Sequence, residues 1–451
     1  MVGKGTIRIA VLTATVALPL NVVALTALAV SPVRVAAAAG WSIAPSQDPD
    51  NVDNRLYGVA CSTPTTCWAV GDYFNGTAYQ TLVEQWTQSG WVVVPSPDNS
   101  STSTTNGNED NTLTSITCVA SGPCFAAGYW YDGQNEAHTL IEEDTGAGWQ
   151  LMTSADVAPA VVDDLLQGIT CISASDCWAV GETLVPGFFG IPFVPVPGTP
   201  AQTLTEHWNG TQWSVVMSAD SGFSENILDG VACISSSNCW AAGINSNGSS
   251  GYDALIEQYN GTSWSIVNGA DPSSQLNELD SAWCSSDGTC RAAGIERGAS
   301  ATQTLIEQTT SSAWVSDAGA DTSSTQLNGT TGVTCVDDSD CWAVGEYDAT
   351  GNFLFQTLVE QRTAAGWTVV PSGNVSTTQP DVLWGVGCAS ATACWSVGYS
   401  TDAKGVIHTL IEGNAVPAPV QTPDMPPLFA IPIALAAAVG VRRVARRQRQ
   451  G

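Results

Sequence analysis

The feature that most constrains this chain is a block of text repeated seven times. Each copy reads approximately Leu-x-Gly-Val-x-Cys, five residues, Cys-Trp-Ala-Val-Gly, a loop, Thr-Leu-Ile-Glu-x-Trp, a short turn, and Trp-x-Val-Val. The copies recur at roughly 51 to 62 residues, a period that belongs to solenoids, propellers and arrays. Each holds four apolar runs of strand length. In the first copy these are Leu56-Tyr57-Gly58-Val59-Ala60, Cys67-Trp68-Ala69-Val70-Gly71, Thr81-Leu82-Val83-Glu84-Gln85-Trp86 and Trp91-Val92-Val93-Val94. Asn209-Gly210 and Asn260-Gly261 fall between third and fourth runs, and Asn-Gly between apolar runs is the strongest short hairpin signal. No helical periodicity appears inside the repeats. Four antiparallel strands repeated seven times predict an all-β, seven-bladed β-propeller of four-stranded blades.

The last copy ends after His408-Thr409-Leu410-Ile411-Glu412, without a fourth run. The missing text stands at the other end, as Gly40-Trp41-Ser42-Ile43-Ala44-Pro45-Ser46, which matches Gly90-Trp91-Val92-Val93-Val94-Pro95-Ser96. The N-terminal strand is therefore expected to complete the last blade and close the ring, leaving no mismatched edge. Strand one of each blade should line the channel. The loops between strands two and three, and those from strand four to the next blade, should share one face.

The fourteen cysteines form seven Cys-x5-Cys pairs: Cys61/Cys67, Cys118/Cys124, Cys171/Cys177, Cys233/Cys239, Cys284/Cys290, Cys335/Cys341 and Cys388/Cys394. Regular, even spacing in an exported chain reads as disulfides. A metal site would want tighter spacing or nearby histidines, of which the chain has three. Each bridge closes a small loop and is worth about 2 kcal/mol by chain entropy. No metal ligand and no cofactor is expected.

Six blades place an aromatic after the second cysteine (Trp68, Phe125, Trp178, Trp240, Trp342, Trp395), which equivalence assigns to packing between blades. The glycines of this run, from Gly71 to Gly398, suggest a bulge or a close blade contact. Every third strand carries a glutamate: Glu84, Glu142, Glu206, Glu257, Glu307, Glu360 and Glu412. Paired carboxylates suit glycoside hydrolysis, but sevenfold repetition suits structure. These carboxylates are expected to accept hydrogen bonds from a tryptophan indole or from backbone amides of a neighbouring strand.

The chain ends divide the molecule further. Lys4 and Arg8 precede an apolar run at 9–30, and Ala36 to Ala39 offer a cleavage site, so 1–39 reads as a signal peptide, or alternatively as an uncleaved anchor. Residues 40–415 are the propeller and 416–427 a Pro-rich linker. The apolar run 428–441 reads as a membrane segment, and the basic tail 442–451 as cytoplasmic by the positive-inside rule. At ~1.5 Å per residue that run is short of a full bilayer, so snorkelling arginines would have to close the gap. The layout is similar to a bacterial cell-surface sorting signal, without the Leu-Pro-x-Thr-Gly that a sortase needs. Between the two ends lie all 42 acidic residues and only Arg55, Arg291, Arg297, Arg362 and Lys404, a net of −37. Nucleic acid and anionic lipid surfaces are poor partners for such a molecule.

The array with Cys-Trp-Ala-Val-Gly and Trp-Asn-Gly-Thr-x-Trp text resembles secreted bacterial propeller repeat proteins over residues 40–413. The turn at 208–213 also resembles the Asp-box of sialidase-like propellers. That box's Ser-x-Asp start is missing and arginines are scarce, so sialidase activity is not implied.

Specific function should sit where the copies differ. The loop between Glu182 and Gln202 is twice the usual length and carries Phe188, Phe189, Ile191 and Phe193 among prolines. It reads as an apolar interaction site, or as a plug for the channel mouth. Arg291 replaces the blade-five aromatic and Arg297 follows. The pair could bind an anionic group or simply pair with acids. Asp48-Pro49-Asp50-Asn51-Val52-Asp53 and Asp337-Asp338-Ser339-Asp340 offer oxygen clusters that could hold Ca²⁺, but neither matches an EF-hand loop and both read better as solvated loops. The expectation is an extracellular, surface-tethered propeller that binds a protein or glycan through one face. The alternative is a polysaccharide hydrolase or lyase at the channel mouth, which requires an unrepeated cluster of carboxylates, His or Tyr in the central pocket.

Overall fold

The computed structural model describes residues 40–49, 52–100, 109–157, 163–184, 201–222, 225–248, 251–298, 300–310 and 313–414. The segments expected to be a signal peptide and a membrane span, and the Phe188 to Phe193 loop, lie outside these residues. Seven four-stranded antiparallel sheets are present, each in simple up-and-down order, and the described residues contain no helix. Blade 1 comprises strands Asn54–Thr63, Thr66–Phe74, Tyr79–Trp86 and Trp91–Val94. Blade 7 takes its outer strand, Ser42–Ile43, from the N-terminal side, with Ser42 opposite Gly413 and Ile43 opposite Glu412. The ring closes as the displaced repeat text predicts.

The repeated residues are the mortar of this ring. All seven Cys-x5-Cys pairs are disulfides at the base of the inner hairpins, and no free cysteine remains among the described residues. The two cysteines of a pair differ in their surroundings. The second of each pair, Cys67, Cys124, Cys177, Cys239, Cys290, Cys341 and Cys394, is buried. It stands on strand two, where it packs into the apolar core of its blade junction. The first of each pair stands on strand one, and Cys61, Cys118, Cys233, Cys284 and Cys388 reach the channel wall. These five bridges thus staple the channel wall to the core behind it.

The repeat glycine lies opposite a β-bulge in strand one. At Gly71 a Cβ would stand 1.9 Å from the Arg55 carbonyl oxygen, so no larger residue fits there. The aromatic after the second cysteine meets the outer-strand tryptophan of the next blade edge to face. Trp68 meets Trp149 at 5.5 Å, Trp178 meets Trp264 at 5.2 Å and Trp395 meets Trp91 at 5.2 Å, with ring planes at 86° to 90°. Such contacts add about 1 kcal/mol each beyond area burial.

The seven glutamates are fully buried and each grips the preceding blade. Ser96, in the loop after the outer strand of blade 1, donates its hydroxyl to Glu142 of blade 2 at 2.8 Å. Ser46 does the same for Glu84, at 2.9 Å. The amides of Ala155, Ala270, Ala320 and Gly373 donate to Glu206, Glu307, Glu360 and Glu412 at 2.7 to 3.1 Å, and Ser218 with Ala219 serves Glu257. Loop amides and hydroxyls, rather than indoles, are therefore the donors. The indole nitrogens of Trp91, Trp149, Trp213 and Trp264 have no hydrogen-bond partner among the described residues. Burial pushes these carboxyls up, to about 8 for Glu84, Glu142, Glu206 and Glu412 and about 7 for Glu257, Glu307 and Glu360.

The same loop also ties back to its own blade. Asp98 accepts from the Thr81 amide at 2.7 Å, and Asp156, Asp220, Asp271, Asp321, Asn374 and Asp48 repeat the contact. Asp48 thus has a structural task at the closure of the ring. Asp337 likewise holds a turn, accepting from the amide and hydroxyl of Ser339.

Candidate binding site at the channel mouth

Strand one of every blade lines a central cavity of about 820 Å³. Within the motif Leu-x-Gly-Val, the bulge turns the x position toward the channel. That position is Tyr57, Thr114, Gln167, Asp229, Asp280, Thr331 and Trp384 in successive blades. Here the sevenfold pattern is lost, and the wall is divided into two sectors.

The sector from blades 7, 1 and 2 is aromatic. Tyr57 and Trp384 stack with ring centroids 4.7 Å apart and planes 14° apart, and Trp384 leans on Tyr399 at 4.8 Å. Tyr129 and Tyr131 continue the wall, edge to face at 5.7 Å. Behind it sits a polar brace. Arg55 Nη1 donates to the Tyr57 hydroxyl at 3.3 Å and Nη2 to the Tyr79 hydroxyl at 2.6 Å, while its guanidinium lies 4.8 Å from the Tyr79 ring centre. The Tyr57 hydroxyl and the Thr112 hydroxyl donate to Asp72 Oδ2 at 3.2 and 3.1 Å. Burial raises the Asp72 carboxyl to about 6, against the pull of Arg55. The brace fixes the Tyr57 ring, and through it the stack with Trp384.

The opposite sector, from blades 3 to 5, is acidic: Glu182, Glu225, Asp229, Glu278 and Asp280 all line the cavity. Burial is the main cause raising these carboxyls, and repulsion from neighbouring acids adds to it at Glu182, Asp229, Glu278 and Asp280. Glu182 and Glu278 rise to about 7, and Asp229 and Asp280 lie well above the usual carboxylate range. Burial thus favours the protonated form along this wall, and a protonated carboxyl can both donate to and accept from hydroxyl groups.

The structure sorts the residues singled out in the sequence. Phe188, Phe189, Ile191 and Phe193 lie outside the described residues, but the residues flanking their loop do not. Leu184 and Ala201 are paired and both line the cavity. Arg291 is only 2% exposed and is wedged between blades 5 and 6, where its Nη1 reaches Asp338 at 3.1 Å. Its neighbour Asp317 also binds Arg362 at 2.8 Å and the Trp367 indole at 3.0 Å. Arg291 thus pairs with acids at this junction, standing where other blades have an aromatic. Arg297 is exposed at the opposite end of the same strand, Cys290–Arg297, about 20 Å away at ~3.3 Å per residue. The two arginines share no site. The strand-two cysteines, including Cys177, Cys239, Cys341 and Cys394, are buried away from the cavity, so they support the wall without offering a ligand anything.

Sequence reasoning missed Tyr57, Asp229, Asp280 and Trp384. Their signal was visible as the variable x of a nearly constant motif. One further group, Asp132, Glu136 and His138, brings three possible metal-ligand atoms within 4.8 Å of one another.

No protein-family model matches this sequence, and neither does any curated protein sequence. Solved structures do share the fold. The BP39L lectin from Burkholderia pseudomallei superposes with a TM-score of 0.50 at 9% identity, over 81% of this chain and 97% of the lectin. A polysaccharide lyase described as an ulvan lyase gives 0.45 at 10% identity, over 82% and 96%. Trypanosoma rangeli sialidase gives 0.41 at 10% identity, over 80% of this chain and 54% of the sialidase. The chain is a seven-bladed, disulfide-bridged β-propeller whose structural neighbours include lectin and sialidase propellers.

Proposed function

We propose that this chain is an exported carbohydrate-binding propeller whose ligand enters the channel mouth. The observation that carries this reading is the divided wall: a rigid Tyr57–Trp384 platform facing Asp229, Glu278 and Asp280 across one cavity. An apolar sugar face packs on flat aromatic rings, while its hydroxyls need donors and acceptors at the other edge. The seven disulfides fit an oxidising, extracellular setting. In this reading residues 1–39 direct export and 428–441 tether the propeller to the membrane. Phe188, Phe189, Ile191 and Phe193 contribute apolar contacts to the ligand in this reading, since Leu184 and Ala201, which flank their segment, line the same cavity.

A screen of glycans and secreted proteins against the wild type, Trp384→Ala and a form lacking residues 185–200 tests this. Glycan binding weakened about tenfold by Trp384→Ala, some 1.4 kcal/mol, supports the channel site. Binding to a protein alone, or binding indifferent to Trp384, overturns it.

The hydrolase or lyase reading has one observation in its favour, the unrepeated cluster of carboxylates and tyrosines in the cavity. Against it, burial moves Glu182, Asp229, Glu278 and Asp280 in the same direction. Acid–base pairs instead need two groups pushed apart. No histidine is among the described residues that line the cavity. Polysaccharide turnover abolished by Asp229→Asn would reverse this preference.

A further inference from the structure

We propose that blade 2 carries a site for one divalent transition cation, built from Asp132, Glu136 and His138 at the hairpin between its second and third strands, Cys124–Tyr131 and Ala137–Asp144. This site is separate from the channel mouth. Its case rests on which atoms are already committed and which are not. His138 Nδ1 lies 3.1 Å from Asp156 Oδ2, and Asp156 is itself anchored by the amide and hydroxyl of Thr139 at 3.0 Å each. The Trp130 ring stacks on the imidazole at 5.0 Å. A carboxylate on one ring nitrogen sets the tautomer and aims the lone pair of the other, the arrangement that supports metal-bound histidines.

The aimed atom is Nε2, and it faces Asp132 Oδ2 at 3.9 Å, too far for a hydrogen bond. Asp132 is 7% exposed, and the turn amides of Gln134 and Glu136 bond its other oxygen, Oδ1, at 2.8 and 3.0 Å. Oδ2 is thus left pointing at the imidazole, with the Glu136 carboxylate completing the trio within 4.8 Å. One imidazole and two carboxylates suit Zn²⁺ or Mn²⁺. The ion would staple the hairpin tip to strand three and leave further coordination positions to water or a ligand oxygen.

Blade 7 supplies a control within the same molecule. His408 Nδ1 lies 2.7 Å from Asp48, and its Nε2 lies 3.8 Å from Asp402. Asp402 Oδ1 accepts from turn amides just as Asp132 does. Only the third ligand differs, because Val406 stands where blade 2 has Glu136. The Asp–His–Asp frame is shared, and among the described residues a complete ligand trio belongs to blade 2 alone.

Calorimetric titration of the full chain with Zn²⁺, and separately with Mn²⁺, at physiological salt tests this. One equivalent is expected in the wild type, with affinity at least tenfold lower in Glu136→Gln and in His138→Gln. In Val406→Glu a second equivalent should appear. Thermal melting without metal checks that each variant folds. If the blade 2 variants fail to fold, the Val406→Glu result decides. No saturable binding in the wild type, binding unchanged by Glu136→Gln, or no gain in Val406→Glu overturns the proposal.

Discussion

Two sets of buried carboxylates share this molecule and do different work. The strand-three glutamates recur in every blade, and each meets a hydroxyl or amide from the loop of the preceding blade. The channel acids Asp229, Glu278 and Asp280 occur in two neighbouring blades and face one another instead. Burial raises both sets, so protonation alone does not distinguish them. What does is the neighbour each one faces: a loop hydroxyl or amide donor for the strand-three glutamates, and other acids for the channel set. A buried carboxyl that the fold bonds to the neighbouring blade is part of the scaffold. One whose neighbours are like charges keeps hydrogen-bonding capacity for something else.

That contrast breaks most sharply under substitution. Glu142→Ala removes the acceptor of Ser96 and opens a void between blades 1 and 2, so about 3 kcal/mol of stability should be lost in denaturant unfolding. Asp229→Asn should leave stability about equal, because burial already favours the neutral carboxyl and the amide retains its shape. Similar losses at both positions would erase the distinction.

A smaller effect is expected from pH. The ordinary value for a glutamate is 4.5, and the buried set is raised to about 7 or 8. The folded state therefore holds more protons than the unfolded state between pH 4.5 and 8. Stability must fall as pH rises through that window. The denaturation midpoint should be higher at about pH 5 than at about pH 8, and Glu142→Gln should flatten the difference. Stability that instead climbs across this range would mean that the loop donors hold these carboxylates ionised.

Arg291→Trp should have the smallest effect. It rebuilds the edge-to-face contact with Trp367 that other blade junctions have, and it releases Asp338. Asp317 keeps Arg362 and the Trp367 indole as partners. A change within about 1 kcal/mol is expected in denaturant unfolding. A loss of several kcal/mol would show that the arginine network does more than substitute for an aromatic.

The repeat text made most of the scaffold legible. Cys-x5-Cys predicts a hairpin staple because so short a stretch between bonded positions leaves room for little else. That Cys177, Cys239, Cys341 and Cys394 would sink into the core was not legible, since it depends on which neighbouring blade covers strand two. The displaced Trp41-Ser42-Ile43 text predicts the closing strand because a ring needs one. The glutamates were legible as structural, though their donors were not, since Ser96 and Glu142 lie 46 residues apart and on different blades. Arg291 left both binding and pairing open, because the acids that bury it, Asp317 and Asp338, come from elsewhere in the chain.

The sequence by itself determined the blade, the count of seven and the manner of closure, since these follow from local patterns copied along the chain. Only the tertiary structure decided the site. Tyr57 and Trp384 are 327 positions apart in the chain yet stack at 4.7 Å, because closing the ring makes the first and last blades neighbours. Asp229 and Asp280 became a shared acidic wall only when the strand-one bulges turned them into one channel. Periodic burial is written into each repeat, whereas convergence on an axis exists only once all seven repeats surround it.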